Sequence, residues 1–82
     1  MRFDVALFEL RLFKSRSQAT EAIARGGVLL NGAAVKPSHE LRAGDTVTLE
    51  GPEGGRELEV LELPRRSLSR DEARALLRDR TR

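Results

Sequence analysis

The chain has 82 residues, a formal net charge of +2 and no cysteine. This length supports one domain with a small core, and the lack of cysteine excludes disulfides and thiolate metal sites. With one histidine, no metal or cofactor is expected. The sequence also lacks a signal-peptide core and any membrane-spanning run. We therefore expect a soluble, cytoplasmic globular domain that does not interact with membranes.

Two helices are predicted in the first part of the chain. The second helix should cover residues 15–25, because Ser15 is a good N-cap, Gln18 stands at the spacing of a capping box, and Gly26 suits a left-handed C-cap. The first helix should cover residues 2–12, where the apolar residues at helical spacing are Phe3, Ala6, Leu7 and Leu10, followed by Phe13.

Short strands are predicted after the second helix. Val28–Leu30 precedes Asn31-Gly32, which is typical of a two-residue hairpin turn, so residues 33–35 should return as an antiparallel strand. Residues 46–50 and 56–63 alternate apolar and polar side chains as half-buried strands do, with a loop at 51–55 between them.

A short Arg-rich helix is predicted near the C-terminus. Ser69 and Glu72 repeat the capping-box spacing, and residues 78–82 are expected to fray. The fold class is therefore α+β: two packed N-terminal helices on a small, mainly antiparallel sheet of about four strands, with a short C-terminal helix. We expect a domain at residues 1–63 and a helical extension at 64–82.

The turn between the two N-terminal helices is basic where an acidic turn would be more stable. A helix N-terminus carries partial positive charge and favours anions, yet Lys14 and Arg16 flank the cap, Arg11 lies one turn earlier, and the first acid is Glu21. Such a local conflict is typical of functional sites. It indicates that a polyanion binds here; the alternative is a solvated basic turn without function.

Charge is also segregated along the chain. Residues 1–42 carry seven bases and four acids, residues 43–63 one base and six acids, and residues 64–82 seven bases and three acids. Two basic portions and one acidic portion favour a one-sided positive field, as in nucleic-acid binders. The alternative is that the acids and bases neutralise one another across the fold.

No arrangement of residues indicates catalysis. His39 has no spaced partners of a catalytic triad, and the glycines at 51–55 lack the Lys-Ser/Thr of a phosphate-binding loop. An enzyme is not expected.

The order of these motifs resembles the RNA-binding domain of the ribosomal protein S-four type, which has the alpha-L fold. The resemblance covers roughly the first half of the chain. The matching stretches are Arg2-Phe3-Asp4, Leu7, Arg11, Lys14-Ser15-Arg16, Ala19, Ile23, Gly26, Val28, Asn31-Gly32, Val35-Lys36-Pro37-Ser38 and Gly44-Asp45. In size and in its Arg-rich tail, the chain is similar to the heat-shock protein fifteen family, stand-alone bacterial modules that bind large ribosomal subunits carrying a stalled nascent chain. A small ribosome-quality-control protein of Gram-positive bacteria is related.

The resemblance implies a non-enzymatic, monomeric protein that binds structured rRNA or tRNA on the ribosome, at the large subunit. Its role would be in stalled-ribosome rescue or the heat-shock response. Arg65 and Arg66 are secondary candidates for RNA contact. The residues expected to face RNA are Arg2, Arg11, Lys14, Ser15, Arg16, Gln18, Lys36 and Ser38.

Two other functions remain open from the sequence. The acidic strands at 46–62 would suit a protein-interaction module for a basic partner, and the chain would also suit the accessory RNA-binding subunit of a separate RNA-modifying enzyme. The lack of tyrosine and tryptophan argues against an aromatic base-stacking platform. Recognition by phosphate contacts and helix shape is favoured instead.

Overall fold

The computed structural model describes residues 1–51 and 55–81. Residues 52–54 of the loop predicted at 51–55, and Arg82 at the end of the predicted extension, lie outside the described residues. The elements are α1 (Phe3–Glu9), α2 (Arg16–Ala24), β1 (Val28–Leu30), β2 (Thr46–Leu49), β3 (Arg56–Val60), α3 (Arg70–Ala75) and β4 (Leu77–Asp79).

The four strands form one antiparallel sheet in the order β1-β2-β3-β4. The α+β class, with two packed N-terminal helices and a four-stranded antiparallel sheet, is confirmed. The core forms where α1 and α2 meet the sheet, and its largest fully buried side chains are Phe3, Leu7, Ile23, Leu41, Leu58, Val28, Val47 and Val60. None of the helices in the described part of the chain is long and apolar enough to cross a membrane.

The second helix forms largely as predicted. Ser15 Oγ accepts a hydrogen bond from the Gln18 N–H at 3.1 Å and caps α2. Gly26 has a φ of 80°, and the N–H groups of Gly26 and Gly27 bond back to Ile23 and Ala22. Glycine stabilises this helix end because it adopts positive φ without steric cost.

The first helix is shorter than predicted. It ends at Glu9 because Arg11, with a φ of 61°, takes the left-handed conformation that usually selects glycine. The Arg11 N–H bonds to the Phe8 carbonyl at 2.9 Å and the Leu12 N–H to the Leu7 carbonyl at 3.1 Å. This is the same closing arrangement as at Gly26, formed around an arginine.

The hairpin turn forms, but the strand predicted at 33–35 is wrong. Asn31 and Gly32 both have positive φ, of 51° and 82°, yet the return is a single bridge between Leu30 and Ala33. After Ala33 the chain turns away from β1. Pro37 has no N–H to donate to a neighbouring strand, and the Pro37 carbonyl accepts a hydrogen bond from the Asp4 N–H at the start of α1. The strand that pairs with β1 in the sheet is β2.

The predicted fraying at 78–82 is also wrong for the residues that form β4. After the capping box of Ser69 and Glu72 starts α3 as predicted, Leu77 pairs with Val60 and extends the sheet. The half-buried Leu77 side chain packs against the core. β3 ends at Val60 rather than at residue 63. The fourth strand of the sheet is β4 of the C-terminal segment, not the strand predicted at 33–35.

Candidate nucleic-acid interface

A buried aspartate organises the start of α1. The Asp4 side chain is only 4% exposed and accepts two hydrogen bonds from Arg2, from Nε at 3.1 Å and Nη2 at 3.0 Å. It also accepts the Val5 N–H at 2.8 Å, and its Oδ2 lies 3.0 Å from Thr20 Oγ1 on α2. The carboxylate therefore joins α1, α2 and the Arg2 guanidinium in one network.

These contacts keep Asp4 ionised. Burial raises the pKa of the Asp4 carboxyl, but hydrogen bonds from Arg2, Thr20 and the Val5 N–H outweigh it and leave the pKa below its ordinary value. Arg2 donates only one edge of its guanidinium to Asp4, and its side chain is 55% exposed. The outer N–H groups of Arg2 remain available to an anion.

The predicted Lys36 and Ser38 lie on a turn that is fixed to the start of α1. The first N–H groups of α1 donate to this turn, from Phe3 to the His39 carbonyl at 2.8 Å and from Asp4 to the Pro37 carbonyl at 3.1 Å. A helix start needs such partners because its first N–H groups have none inside the helix. The backbone that carries the exposed Lys36 and Ser38 side chains is thereby held at the start of α1.

The start of α2 adds an unneutralised basic surface. Lys14, Arg16 and Gln18 are exposed, whereas Ser15 is half-buried and its hydroxyl caps the helix. The first turn of α2 has no acidic residue. Within residues 1–51 and 55–81, neither Lys14 nor Arg16 forms an ion pair.

The structure divides the predicted residues into two groups. Arg16 lines a depression with Asp4 and Thr20, Arg2 bonds the Asp4 carboxylate, and the turn that carries Lys36 and Ser38 is bonded to the start of α1 through the Pro37 and His39 carbonyls. We name this set of residues the Asp4 surface.

The second group lies at the other end of α1. Arg11 and Lys14 line a groove there, and Arg11 Nε donates to the Leu68 carbonyl at 2.7 Å. The secondary candidates Arg65 and Arg66 are exposed on the segment before α3, where Arg65 lies 3.7 Å from Glu72. No contact in the described part of the chain joins either of them to the Asp4 surface.

Sequence reasoning missed the residues that organise these groups. Asp4 stands in the first turn of α1, where a carboxylate suits the helix dipole, and that local role does not reveal that its side chain is buried. The position of Thr20 could have been predicted to matter from the sequence, because a helical threonine can donate to the carbonyl four residues earlier. Thr20 Oγ1 lies 2.9 Å from the Arg16 carbonyl oxygen. Arg70 was not singled out, and it lines the groove with Arg11 and Lys14.

Some of the charges on β3 and β4 pair with one another across the sheet. Arg80 Nη1 lies 3.1 Å from Glu59 and Arg78 Nη1 3.9 Å from the same carboxylate, while Arg56 pairs with Asp79 at 3.8 Å. Glu59 and Asp79 are therefore paired with arginines on this part of the sheet. Lys14 and Arg16, in contrast, have no such ion pair in the described part of the chain.

The chain is similar to proteins of known family. Residues 1–47 match the model of the S4 domain. The RQC P-site tRNA stabilizing factor of Helicobacter pylori is 41% identical over 64 residues, which cover 78% of this chain and 76% of that protein. The ribosomal large subunit pseudouridine synthase D of Xylella fastidiosa is 47% identical over 49 residues, 60% of this chain but 15% of the enzyme.

Two solved structures share the fold. Heat Shock Protein 15 of Vibrio cholerae, described as trimeric, superposes with a TM-score of 0.89 and 28% identity over 96% of this chain and 80% of that one. The solution structure of hypothetical protein HP1423 gives a TM-score of 0.82 and 34% identity over 100% and 99% of the two chains. The family match at residues 1–47 contains every residue of the primary predicted set.

Proposed function

The chain belongs to the S4 domain family, and from this premise we propose that it is a non-enzymatic protein that binds structured RNA, rRNA or tRNA, on the ribosome. The observation that carries the proposal is the Asp4 surface with the adjoining Lys14. Lys14 and Arg16 are exposed, without ion pairs in the described part of the chain, and held at the start of α2 by the Ser15 cap. Exposed cations carried by an ordered helix start suit phosphates.

The finer proposal is binding to the large ribosomal subunit that carries a stalled nascent chain. It is supported by the likeness to the RQC P-site tRNA stabilizing factor and to Heat Shock Protein 15. The ligand would then include a tRNA in the P site, in stalled-ribosome rescue or the heat-shock response. We propose that the protein acts in the cytoplasm and as a monomer, in contrast to the trimer described for the Vibrio cholerae structure.

Within this proposal, residues 1–63 are the RNA-binding domain and residues 64–82 are an extension, whose strand β4 packs on that domain. The β3–β4 pairing supports this packing, since Leu58 and Val60 of the domain pair with Asp79 and Leu77 of the extension. The extension carries Arg65 and Arg66, which remain secondary candidates for RNA contact.

One alternative function retains support. The match to the pseudouridine synthase covers 60% of this chain but only 15% of the enzyme, which favours a role as the RNA-binding accessory of a separate RNA-modifying enzyme. The other alternative, a protein-interaction module built on the acidic strands at 46–62, is weakened because Glu59 already pairs with Arg78 and Arg80.

The RNA proposal is tested by titrating the full chain with a structured RNA hairpin and with duplex DNA of equal length across a salt series. We expect tighter binding to RNA and a log–log salt slope of several negative units, since about 4–6 phosphate contacts each release counterions. A slope near zero, or equal affinity for DNA, would contradict the proposal.

A matched pair of double variants assigns the surface. Lys14→Ala with Arg16→Ala removes two charges from the proposed site, and Arg25→Ala with Arg74→Ala removes the same charge from exposed positions outside it. Only the first pair should weaken RNA binding strongly. Ultraviolet crosslinking in cells, with the bound species identified, should yield rRNA or tRNA of the large subunit. Recovery of an RNA-modifying enzyme would favour the accessory role.

A further inference from the structure

A groove of about 680 Å³ lies outside the Asp4 surface. It is formed by the end of α1, the turn before α2 and the segment that leads into α3. Sites for small ligands in proteins measure roughly 300–1,000 Å³, so the groove is large enough for one nucleotide. Its walls combine the rings of Phe8 and Phe13 with three cations, Arg11, Lys14 and Arg70.

The groove is held in shape by two long-range hydrogen bonds. Arg11 Nε donates to the Leu68 carbonyl at 2.7 Å, and the Ser67 N–H donates to Glu9 Oε2 at 3.2 Å. Both bonds join the end of α1 to a segment more than fifty residues later. The walls are therefore fixed relative to each other before any ligand binds.

Arg11 and Ser67 also have unfavourable backbone conformations. Their φ values are 61° and 59°, and both residues line the groove. Outside glycine and asparagine, left-handed residues are uncommon and cluster where function requires them. At Arg11 a glycine would end α1 more readily, but it would supply no guanidinium.

The charges of the groove favour an anion. Three cations face one acid, Glu9, whose carboxylate accepts from the Ser67 backbone. Arg11 uses Nε for Leu68 and retains the four N–H donors on its two Nη atoms. In the described part of the chain, Lys14 and Arg70 form no ion pair.

The apolar walls favour a flat ring. Phe8 and Phe13 are partly exposed, in contrast to the fully buried Phe3. Both partly exposed phenylalanines of the chain thus lie in this one groove, beside the cations. Unpaired RNA bases stack on such aromatic rings while their phosphates contact arginine and lysine.

We propose that this groove binds one unpaired nucleotide of the RNA, with its base against Phe8 and Phe13 and its phosphate on Arg11, Lys14 and Arg70. The inference rests on the proposed function and deepens it: the Asp4 surface holds a paired region by its phosphates, and the groove selects RNA with an extruded base next to that region.

The test compares three RNA hairpins that differ at one point of the stem. One stem is fully paired, one carries a single-uridine bulge, and one carries an abasic residue in place of that uridine. The wild-type chain should bind the bulged hairpin at least about fivefold more tightly than the other two, because one stacked base contributes roughly 5- to 150-fold. The abasic hairpin keeps the phosphate and the backbone shape, so it isolates the base.

Two variants with one matched control assign the preference to the groove. Phe8→Leu keeps an apolar side chain but removes the ring, and Arg70→Ala removes an exposed cation. Both should lose the preference for the bulge and still bind the paired stem. Arg74→Ala, on the same helix but outside the groove lining, should retain it. If Phe8→Leu lowers the melting temperature, Arg70→Ala decides the matter, because its side chain is exposed.

Each outcome separates the two proposals. Equal binding of all three hairpins by the wild-type chain overturns the groove proposal and leaves RNA binding intact, whereas no binding of any hairpin overturns both. A 4-thiouridine at the bulge should photocrosslink to peptides containing residues 8–14 or 67–70. Crosslinks confined to other peptides would overturn the groove proposal.

Discussion

Thr20 Oγ1 on α2 lies 3.0 Å from Oδ2 of Asp4 on α1. The Asp4 side chain, which is almost fully buried, is thereby joined to the second helix. The same hydroxyl is 2.9 Å from the Arg16 carbonyl, so its single hydrogen has two acceptors. This relationship fixes the first turn of α2, which carries Arg16, relative to the start of α1, which carries Arg2. The spacing of the two arginines therefore depends on Thr20.

Replacing Thr20 with valine should destabilise the fold by about 1 kcal/mol. Valine matches the shape of threonine but leaves the buried Asp4 carboxylate with one donor fewer. Thermal and urea unfolding measure the loss, and RNA titration should show weaker binding because the start of α2 is less well fixed. Thr48→Val, at a half-buried strand position, is the control and should cost little. Equal stability of the two variants would contradict a structural role of the Thr20 bond.

The lowered pKa of Asp4 predicts a specific acid response. Because the folded pKa lies below the unfolded value of about 3.9, Asp4 contributes stability that is fully present above that value and lost as the pH falls through the folded pKa. Arg2→Ala removes two of the hydrogen bonds that lower this pKa. The pKa of Asp4 should rise, and acid unfolding should start at a higher pH than in the wild type.

Melting temperatures across an acid pH series measure this shift, and an NMR titration of the Asp4 carboxyl assigns it. Arg42→Ala, which removes an exposed arginine that does not contact Asp4, is the control. Superposable pH curves for the Arg2 variant and the wild type would show that Arg2 does not stabilise the ionised carboxylate.

The basic turn before α2 should separate binding from stability. Lys14→Ala and Arg16→Ala together should weaken RNA binding strongly without lowering the melting temperature, because both side chains are exposed and both cations oppose the helix dipole. Their removal should stabilise the fold by roughly 0.3–1 kcal/mol. Ser15→Ala removes the cap from the Gln18 N–H and should cost about 1 kcal/mol.

Thermal melts and RNA titrations on these variants provide the measurement. If the double variant melts well below the wild type, the two cations are structural. If it melts and binds normally, the basic turn is solvent-exposed surface without a function in RNA binding.

Neutralising the acids of β3 should not reduce RNA binding. Glu57→Gln with Glu59→Gln removes negative charge that repels phosphate at long range, so affinity should stay equal or increase slightly. The free energy of unfolding should fall by up to about 1 kcal/mol, because the Glu59 substitution removes the ion pairs with Arg78 and Arg80 near the surface. A large loss of RNA affinity in the folded double variant would place the binding site on the sheet instead.

Local signals predicted the starts of α2 and α3, the end of α2 and the turn after β1. Ser15 and Ser69 cap α2 and α3, Gly26 closes α2, and Asn31-Gly32 forms the turn after β1. Each of these features depends on hydrogen bonds or φ preferences within about four residues, so the sequence specifies it without reference to the rest of the fold. The basic character of the loop before α2 was evident for the same reason.

The sequence by itself thus determined the α+β class, the capped helices and the identity of the exposed cations. Only the tertiary structure decided which of those cations lie together. The left-handed Arg11 is stabilised by the Leu68 carbonyl, and β4 exists because Leu77 and Asp79 complete the open edge of β3. Such partners are distant in the chain, and a local pattern of residues carries no information about which distant backbone group will satisfy them. The separation of the Asp4 surface from the groove at Arg11 follows from those long-range bonds.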